Sequence, residues 1–275
     1  MTTTAHGPDS TAGTGVIGVI GVGEIAEALV TGLLLPDTGS VVVDSVVLSP
    51  RSAARSARLA AGDPRVTVAA DNAQVADSAD TVIVSVKPDQ LAEALEGVTF
   101  RPGQLVVSTL AGVDLATLRR HTGPGPEIVR SVPLPPVARR AGVTPLIPAE
   151  PRVVAMFDLL GGHLAVPDEE RMAAVTVITG AQTAVLQYVS VLCDWAAANG
   201  LDPASSEMFV RQSVAGLEPG LKDASKQVSE LIDRFETPGG LNLQLRTGFF
   251  DETVTGALLS QLDALHDRVR GSDRG

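Results

Sequence analysis

The chain has one cysteine (Cys193), one tryptophan and one tyrosine, and aromatic residues make up only 3% of its 275 positions. A single thiol forms no internal disulfide, and without a second cysteine or spaced histidines there is no zinc pattern, so no metal is expected. A reducing, cytoplasmic setting is expected. Cations are outnumbered: 21 Lys and Arg against 32 Asp and Glu give a formal net charge of -11. That balance argues against nucleic acid as a partner, while leaving room for a local basic pocket that holds one phosphate. No apolar run of about 18 residues stands out as able to span a bilayer, so no membrane partner is expected. Residues 1–15 are rich in Thr, Ser, Gly and Ala, lack the basic start and apolar stretch of a signal peptide, and read as a disordered tail. There is no Tyr-x-x-x-Lys pair, and His121, His163 and His266 carry no motif context. Tyr188 stands in an apolar helical run, where a core role is favoured over proton donation.

What the chain does have is aliphatic periodicity. Short β-branched runs at Val16–Ile20, Val46–Leu48, Val66–Val68, Thr81–Val86, Leu105–Ser108, Glu127–Val132 and Val143–Ile147 alternate with Ala- and Leu-rich segments. This is the pattern of a parallel sheet covered by helices, its strands apolar throughout because both faces are buried. After Val166 the runs stop, and Asp168-Glu169-Glu170 opens a helical half in which Gly200, Pro203, Gly220 and Pro238 separate four or five helices ending near Arg270. The fold class is therefore α/β: a sheet domain over 16–167 followed by an all-helical domain over 168–275. So much apolar surface on few helices predicts burial against a second copy, a homodimer or higher homo-oligomer.

Val16 to Ile20 leads into Gly21-Val22-Gly23-Glu24-Ile25-Ala26, a G-x-G-x-x-A turn between strand and helix. Gly21 permits the tight turn, Gly23 lets the backbone approach a pyrophosphate, and Ala26 lets the helix lie close to the strand, the dinucleotide-binding arrangement of a Rossmann-type domain. The helix start, including the amides of Val22, Glu24 and Ile25, offers free N–H groups to the phosphates. The second strand ends in Ser49-Pro50-Arg51-Ser52 with no acid to bind a ribose 2′-hydroxyl; Asp44 lies about 15 Å back along it at roughly 3.3 Å per residue. Arg51 with the hydroxyls of Ser49 and Ser52 reads as a clamp for the 2′-phosphate of NADP, so NADPH is the expected cofactor. Val86, Lys87 and Pro88 end a buried strand, and Ala111 and Gly112 follow the next; both groups are placed to line the nicotinamide side.

Taken together, Ile17 to Gly23, Ser49-Pro50-Arg51-Ser52, Asp71-Asn72, Val86-Lys87-Pro88, Ala111-Gly112-Val113, Ile128 to Pro133 and Thr237-Pro238-Gly239-Gly240 resemble pyrroline-5-carboxylate reductase over nearly the whole chain. The resemblance implies an N-terminal Rossmann domain, a C-terminal helical domain that dimerises by intertwining, and hydride transfer from NAD(P)H to a cyclic imine. It also implies that Asn72 contacts the cofactor.

The departures fall on the substrate motifs. The family's M-P-N-T-P is Val132-Pro133-Leu134-Pro135-Pro136, its S-G-S-G-P-A-Y is Thr179-Gly180-Ala181-Gln182-Thr183-Ala184, and its helical glutamate and aspartate fall on Ser190 and Asp194. Its threonines after Pro-Gly-Gly are replaced by Leu241 and Asn242. Pro133, Leu134, Gln182, Gly239, Gly240, Leu241 and Asn242 are thus the expected substrate contacts. Asn242, able to bond an imine nitrogen or to cap the next helix, and Lys87 are the expected catalytic groups. The expected function is NADP-dependent reduction of a C=N bond in a small cyclic imine. The alternatives are a reductase of another imine or a keto acid, and a silent NADP-binding sensor.

Overall fold

The computed structural model describes residues 15–36 and 43–272. The tail expected over 1–15 lies outside the described residues except for Gly15, which opens the first strand. Two compact units form: one holds the sheet and extends to Thr176, with the C-terminal stretch from Arg268 added to it, and the other is Val177–Asp267.

The first unit contains β1 (Gly15–Ile20), α1 (Glu24–Leu34), β2 (Val43–Leu48), α2 (Ala53–Gly62), β3 (Val66–Val68), α3 (Asn72–Ser78), β4 (Thr81–Val84), α4 (Leu91–Ala94), β5 (Leu105–Ser108), α5 (Leu115–Thr122), β6 (Glu127–Ser131), β7 (Thr144–Ile147), α6 (Pro151–Leu159) and β8 (His163–Ala165). The strand order is β3-β2-β1-β4-β5-β6-β7-β8, parallel except for β6 against β7. All seven expected strands form, and β8 is an addition that the sequence pattern did not announce.

Along the central strands, alternate side chains feed two cores. Ile17, Val19, Ile83, Leu105 and Val107 join Leu29, Met156 and Phe157 on one face. Ile20, Val82, Val84 and Val106 join Val75, Leu91 and Leu118 on the other. Period-two alternation between two buried faces is what continuous apolar strands produce. Gly18 has a packing reason: a Cβ there would lie 2.8 Å from both Val75 Cγ1 and Ala79 Cβ, so glycine lets α3 approach β1.

From α7 (Glu169–Thr179) onward the chain is helical: α8 (Gln182–Ala198), α9 (Pro203–Ala215), α10 (Glu218–Lys222), α11 (Val228–Phe235), α12 (Leu241–Phe249) and α13 (Glu252–Ser272). These are seven helices among the described residues, where four or five were expected. Gly200 and Pro238 do fall between helices, but Gly220 lies inside α10, and other breaks occur without Gly or Pro, as at Asp251, whose carboxylate caps α13 through Val254 N at 2.8 Å. Within Val177–Asp267, α8 lies along α9, and buried side chains such as Cys193, Ser206, Val210 and Leu231 are few. Leu186, Trp195, Met208, Phe209 and Leu221 are exposed.

A further correction concerns membranes. The stretch Glu169–Ala198, which holds an 18-residue window with a mean hydropathy of 1.4, is long and apolar enough to cross a bilayer by length and composition. Interleaved Thr, Gly and Gln hide it from a search for an unbroken apolar run, yet Ala, Val, Ile and Leu keep its average high.

Candidate functional site

Three strand ends converge on the Gly-rich turn. Gly21 adopts φ +88°, and a Cβ on it would lie 2.7 Å from Ser85 O and 2.5 Å from Val86 Cγ1, so only glycine fits. Val22 is buried and contributes backbone alone. Gly23 caps α1 without any side-chain cap, leaving the first-turn amides without an intrahelical acceptor. A Cβ on Gly23 would find nothing closer than Ser85 O at 4.0 Å. Glycine there therefore relieves no internal clash; it keeps open the front of a cradle lined by N–H donors, which suits a pyrophosphate. Glu24 is exposed at the start of α1, Ile25 is half-buried, and Ala26 is fully buried.

At the end of β2 the expected clamp is rearranged. Ser49 is buried; its hydroxyl accepts a hydrogen bond from Gly21 N (3.0 Å), and its carbonyl accepts one from Ser56 Oγ (2.9 Å). The serine thus buttresses the turn from below, because the β2 ladder carries it inward, and it does not present its hydroxyl with Arg51. Arg51 is half-exposed, with Nη1 3.1 Å from Glu93 Oε1, and Ser52 caps α2 without a side-chain hydrogen bond. Two further arginines escaped the sequence reading. Arg55 bonds Glu27 (Nε–Oε2 2.8 Å) and donates to Val22 O at 3.3 Å, and Arg58 pairs with the same Glu27. The signal was present in the i, i+3 spacing of Arg55 and Arg58, which puts both on one face of α2.

Beyond β3, Asp71 caps α3 through Gln74 N at 2.8 Å, and the Asn72 amide donates to Ala94 O at 2.9 Å, tethering α4. After β4, Val86 is half-buried and Lys87 and Pro88 are exposed, with Lys87 opening a short 3-10 turn. Thr109 Oγ1 donates to Ser85 Oγ at 2.9 Å, joining the ends of β4 and β5. Ala111 is exposed and Gly112 has φ +74°. Pro133 is buried and Leu134 half-buried at the end of β6. Three residues before Pro133, Arg130 is fully buried and ion-paired with Glu169, whose other oxygen accepts from Leu115 N at 2.8 Å.

In the second unit, Gln182 is the exposed first residue of α8, and Ser190 and Asp194 are exposed along it. The Pro-Gly-Gly turn closes through Gly240 N to Thr237 O (2.8 Å), with Gly239 at φ +71°. Leu241 is 85% exposed. Asn242 donates from Nδ2 to Phe235 O at 2.8 Å, across the turn. Only the amide nitrogen can donate to a carbonyl, so Oδ1 is left as an acceptor. Arg246 straddles the same turn to Glu236, with Nη2–Oε2 at 2.9 Å, and its guanidinium holds the Glu236 carboxyl below the usual carboxylate range.

A doubly wound sheet with a phosphate cradle at its switch point and a cation at the end of β2 defines a dinucleotide-binding oxidoreductase fold. The family comparisons agree. The model described as NADP oxidoreductase, coenzyme F420-dependent, matches residues 16–112, and that of pyrroline-5-carboxylate reductase dimerisation matches 169–271. A pyrroline-5-carboxylate reductase from Mycobacterium leprae is 33% identical over 273 residues, covering 94% of this chain and 90% of its own. One from Synechocystis is 29% identical, covering 82% and 86%. Crystal structures of 1-pyrroline-5-carboxylate reductase from Streptococcus pyogenes (TM-score 0.79, 22% identity, covering 95% of this chain and 100% of that one) and of the NADP-bound Plasmodium falciparum pyrroline carboxylate reductase (TM-score 0.76, 19% identity, covering 94% and 97%) share the fold. The chain belongs to the pyrroline-5-carboxylate reductase family.

Proposed function

We propose that the chain is an NADPH-dependent reductase of the C=N bond of a small cyclic imine, with 1-pyrroline-5-carboxylate as first substrate and proline as its product. The observation that carries this reading is the open Gly23 cradle beside Arg51 at the end of an acid-free β2 tip, in a chain whose relatives bear that activity in their names. The amides at the α1 N-terminus hold the pyrophosphate, Arg51 holds the 2′-phosphate, and Val86, Lys87, Pro88, Ala111 and Gly112 line the nicotinamide side. NADPH supplies the hydride. The protein's own task is alignment and exclusion of water, which for hydride transfer to a protonated imine accounts for most of the catalysis. A protonated imine N–H donates to Asn242 Oδ1, the acceptor left over once Nδ2 is held by Phe235 O. Lys87 lends positive charge near the reacting end. The apolar faces of α8 and α9 pair with a second copy, giving a homodimer or larger homo-oligomer, and this accounts for the Glu169–Ala198 stretch without a bilayer. The lone buried Cys193 fits a reducing cytoplasm.

A second reading takes support from Leu134 and Leu241, which place apolar side chains where the resemblance implies polar ones: the substrate is a different, more apolar imine. Oxidation of NADPH followed by absorbance, first with 1-pyrroline-5-carboxylate and then with a panel of cyclic imines and keto acids, separates the two. Turnover of the first at the highest kcat/KM supports proline synthesis, preference for an uncarboxylated imine supports the second reading, and tight NADPH binding without any turnover defeats both.

A further inference from the structure

We propose that Glu93 is a specificity-determining residue for the dinucleotide, its carboxylate occupying on Arg51 the place that a 2′-phosphate takes. The inference rests on the reading of Arg51 as the 2′-phosphate anchor and goes one residue beyond it.

Arg51 leaves the end of β2 and Glu93 sits on α4, beyond β4, and in the sheet these two strands flank β1. The ion pair at 3.1 Å therefore bridges the strand ends on either side of the one that carries the Gly21 turn. The bond from Asn72 Nδ2 to Ala94 O holds the backbone next to Glu93 at this spot, so the position of the acid is built into the fold. Its side chain is 65% exposed and that of Arg51 51% exposed. Such a pair is weak, and the carboxylate can swing into water. Arg55 differs: it is fixed both to Glu27 and to Val22 O and is not the cation that exchanges partners.

The consequence is a competition. A phosphate carrying close to two charges displaces a single carboxylate from a guanidinium, and the displaced Glu93 turns away from it. A ligand with a bare 2′-hydroxyl brings no anion, and the Arg51–Glu93 pair stays closed. Glu93 thus lowers affinity for ligands bearing a 2′-phosphate and leaves the others alone, moderating the NADPH preference that Arg51 confers.

Adenosine 2′,5′-bisphosphate isolates this contact from catalysis and from the helical unit, and adenosine 5′-monophosphate is its control. By titration calorimetry on the full chain at low salt, Glu93→Gln should bind the bisphosphate about two- to fivefold more tightly, the range set by an exposed ion pair. That gain should shrink at about 0.5 M salt and fall away in an Arg51→Ala background. The monophosphate should bind the variant and the parent alike. Unchanged or weaker bisphosphate binding by Glu93→Gln, with Arg51→Ala still impaired, overturns the role of Glu93 and leaves Arg51 as the anchor. Bisphosphate binding by Arg51→Ala equal to the parent's overturns the anchor itself, and the proposal with it.

Discussion

The two units of this chain handle apolar surface in opposite ways. In the sheet unit nearly every aliphatic side chain of the strands is covered by the unit's own helices, and among the described residues only Leu35, Val68, Val143 and Leu164 are large apolar residues left exposed. In the helical unit Leu186, Val191, Trp195, Met208 and Phe209 are only a few of those that face outward on α8 and α9. The sheet unit is thus built to be stable within one chain, the helical unit to be completed by another. The contrast also divides the chemistry: the proposed cofactor groups lie at strand ends of the sheet unit, and the proposed substrate groups Gln182, Leu241 and Asn242 lie in the helical unit, whose apolar faces await a second copy.

The largest effect that could break this comparison is on assembly. Each buried Leu or Phe side chain stabilises by about 1.5–3 kcal/mol, counted twice in a twofold interface. Leu186→Asp combined with Phe209→Asp should therefore weaken association on the order of a thousandfold or more, halving the sedimenting mass at micromolar concentration. Unchanged mass would mean that α8 and α9 are not the joining surface.

Next in size is the stitch between the sheet and the start of α7. Glu169→Ala removes the carboxylate partner of buried Arg130 and the acceptor of Leu115 N, and should cost about 3 kcal/mol in denaturant unfolding. A loss below about 0.5 kcal/mol would show that the pair is dispensable.

On the helical side, Asn242→Ala should lower kcat/KM about tenfold, the worth of one hydrogen bond to a charged group, with NADPH affinity unchanged. If only thermal stability falls, Asn242 does no more than tie the turn to Phe235.

The smallest effect is titrational. Arg246 depresses the Glu236 carboxyl, so the pair's contribution is complete above the unfolded carboxylate's pKa and disappears as pH falls through the lowered folded value. Melting temperatures of the parent and Glu236→Gln should differ slightly at pH 7 and converge in acid; a difference that persists in acid would assign the effect to packing instead.

The sequence revealed the sheet because β-branched runs buried on two faces leave a pattern that needs no partner to interpret. The His163–Ala165 strand was invisible for the same reason: three residues, none β-branched, carry no period. In the helical half, Gly and Pro marked some boundaries, but the break at Asp251 depends on a side-chain cap, and the apolar average of Glu169–Ala198 is spread among Thr and Gln. The tight turn at Gly21 and the place of Arg51 just beyond β2 could be read because the turn and the strand end are local. The burial of Ser49, the Arg51–Glu93 pair and the hold of Phe235 on Asn242 arise from residues brought together only by folding.

The bond from Gly21 N to Ser49 Oγ has a consequence for cofactor exchange. The Gly21 turn, the proposed seat of the pyrophosphate, is shaped by one side chain of the β2 end, and Arg51, the proposed reader of the 2′ position, stands two residues further along. Anchoring and address are therefore separately adjustable. Changing Arg51 alone should redirect the enzyme between the two nicotinamide currencies of the cell and leave the seat of the pyrophosphate intact, which makes this short segment the natural handle for re-engineering redox supply.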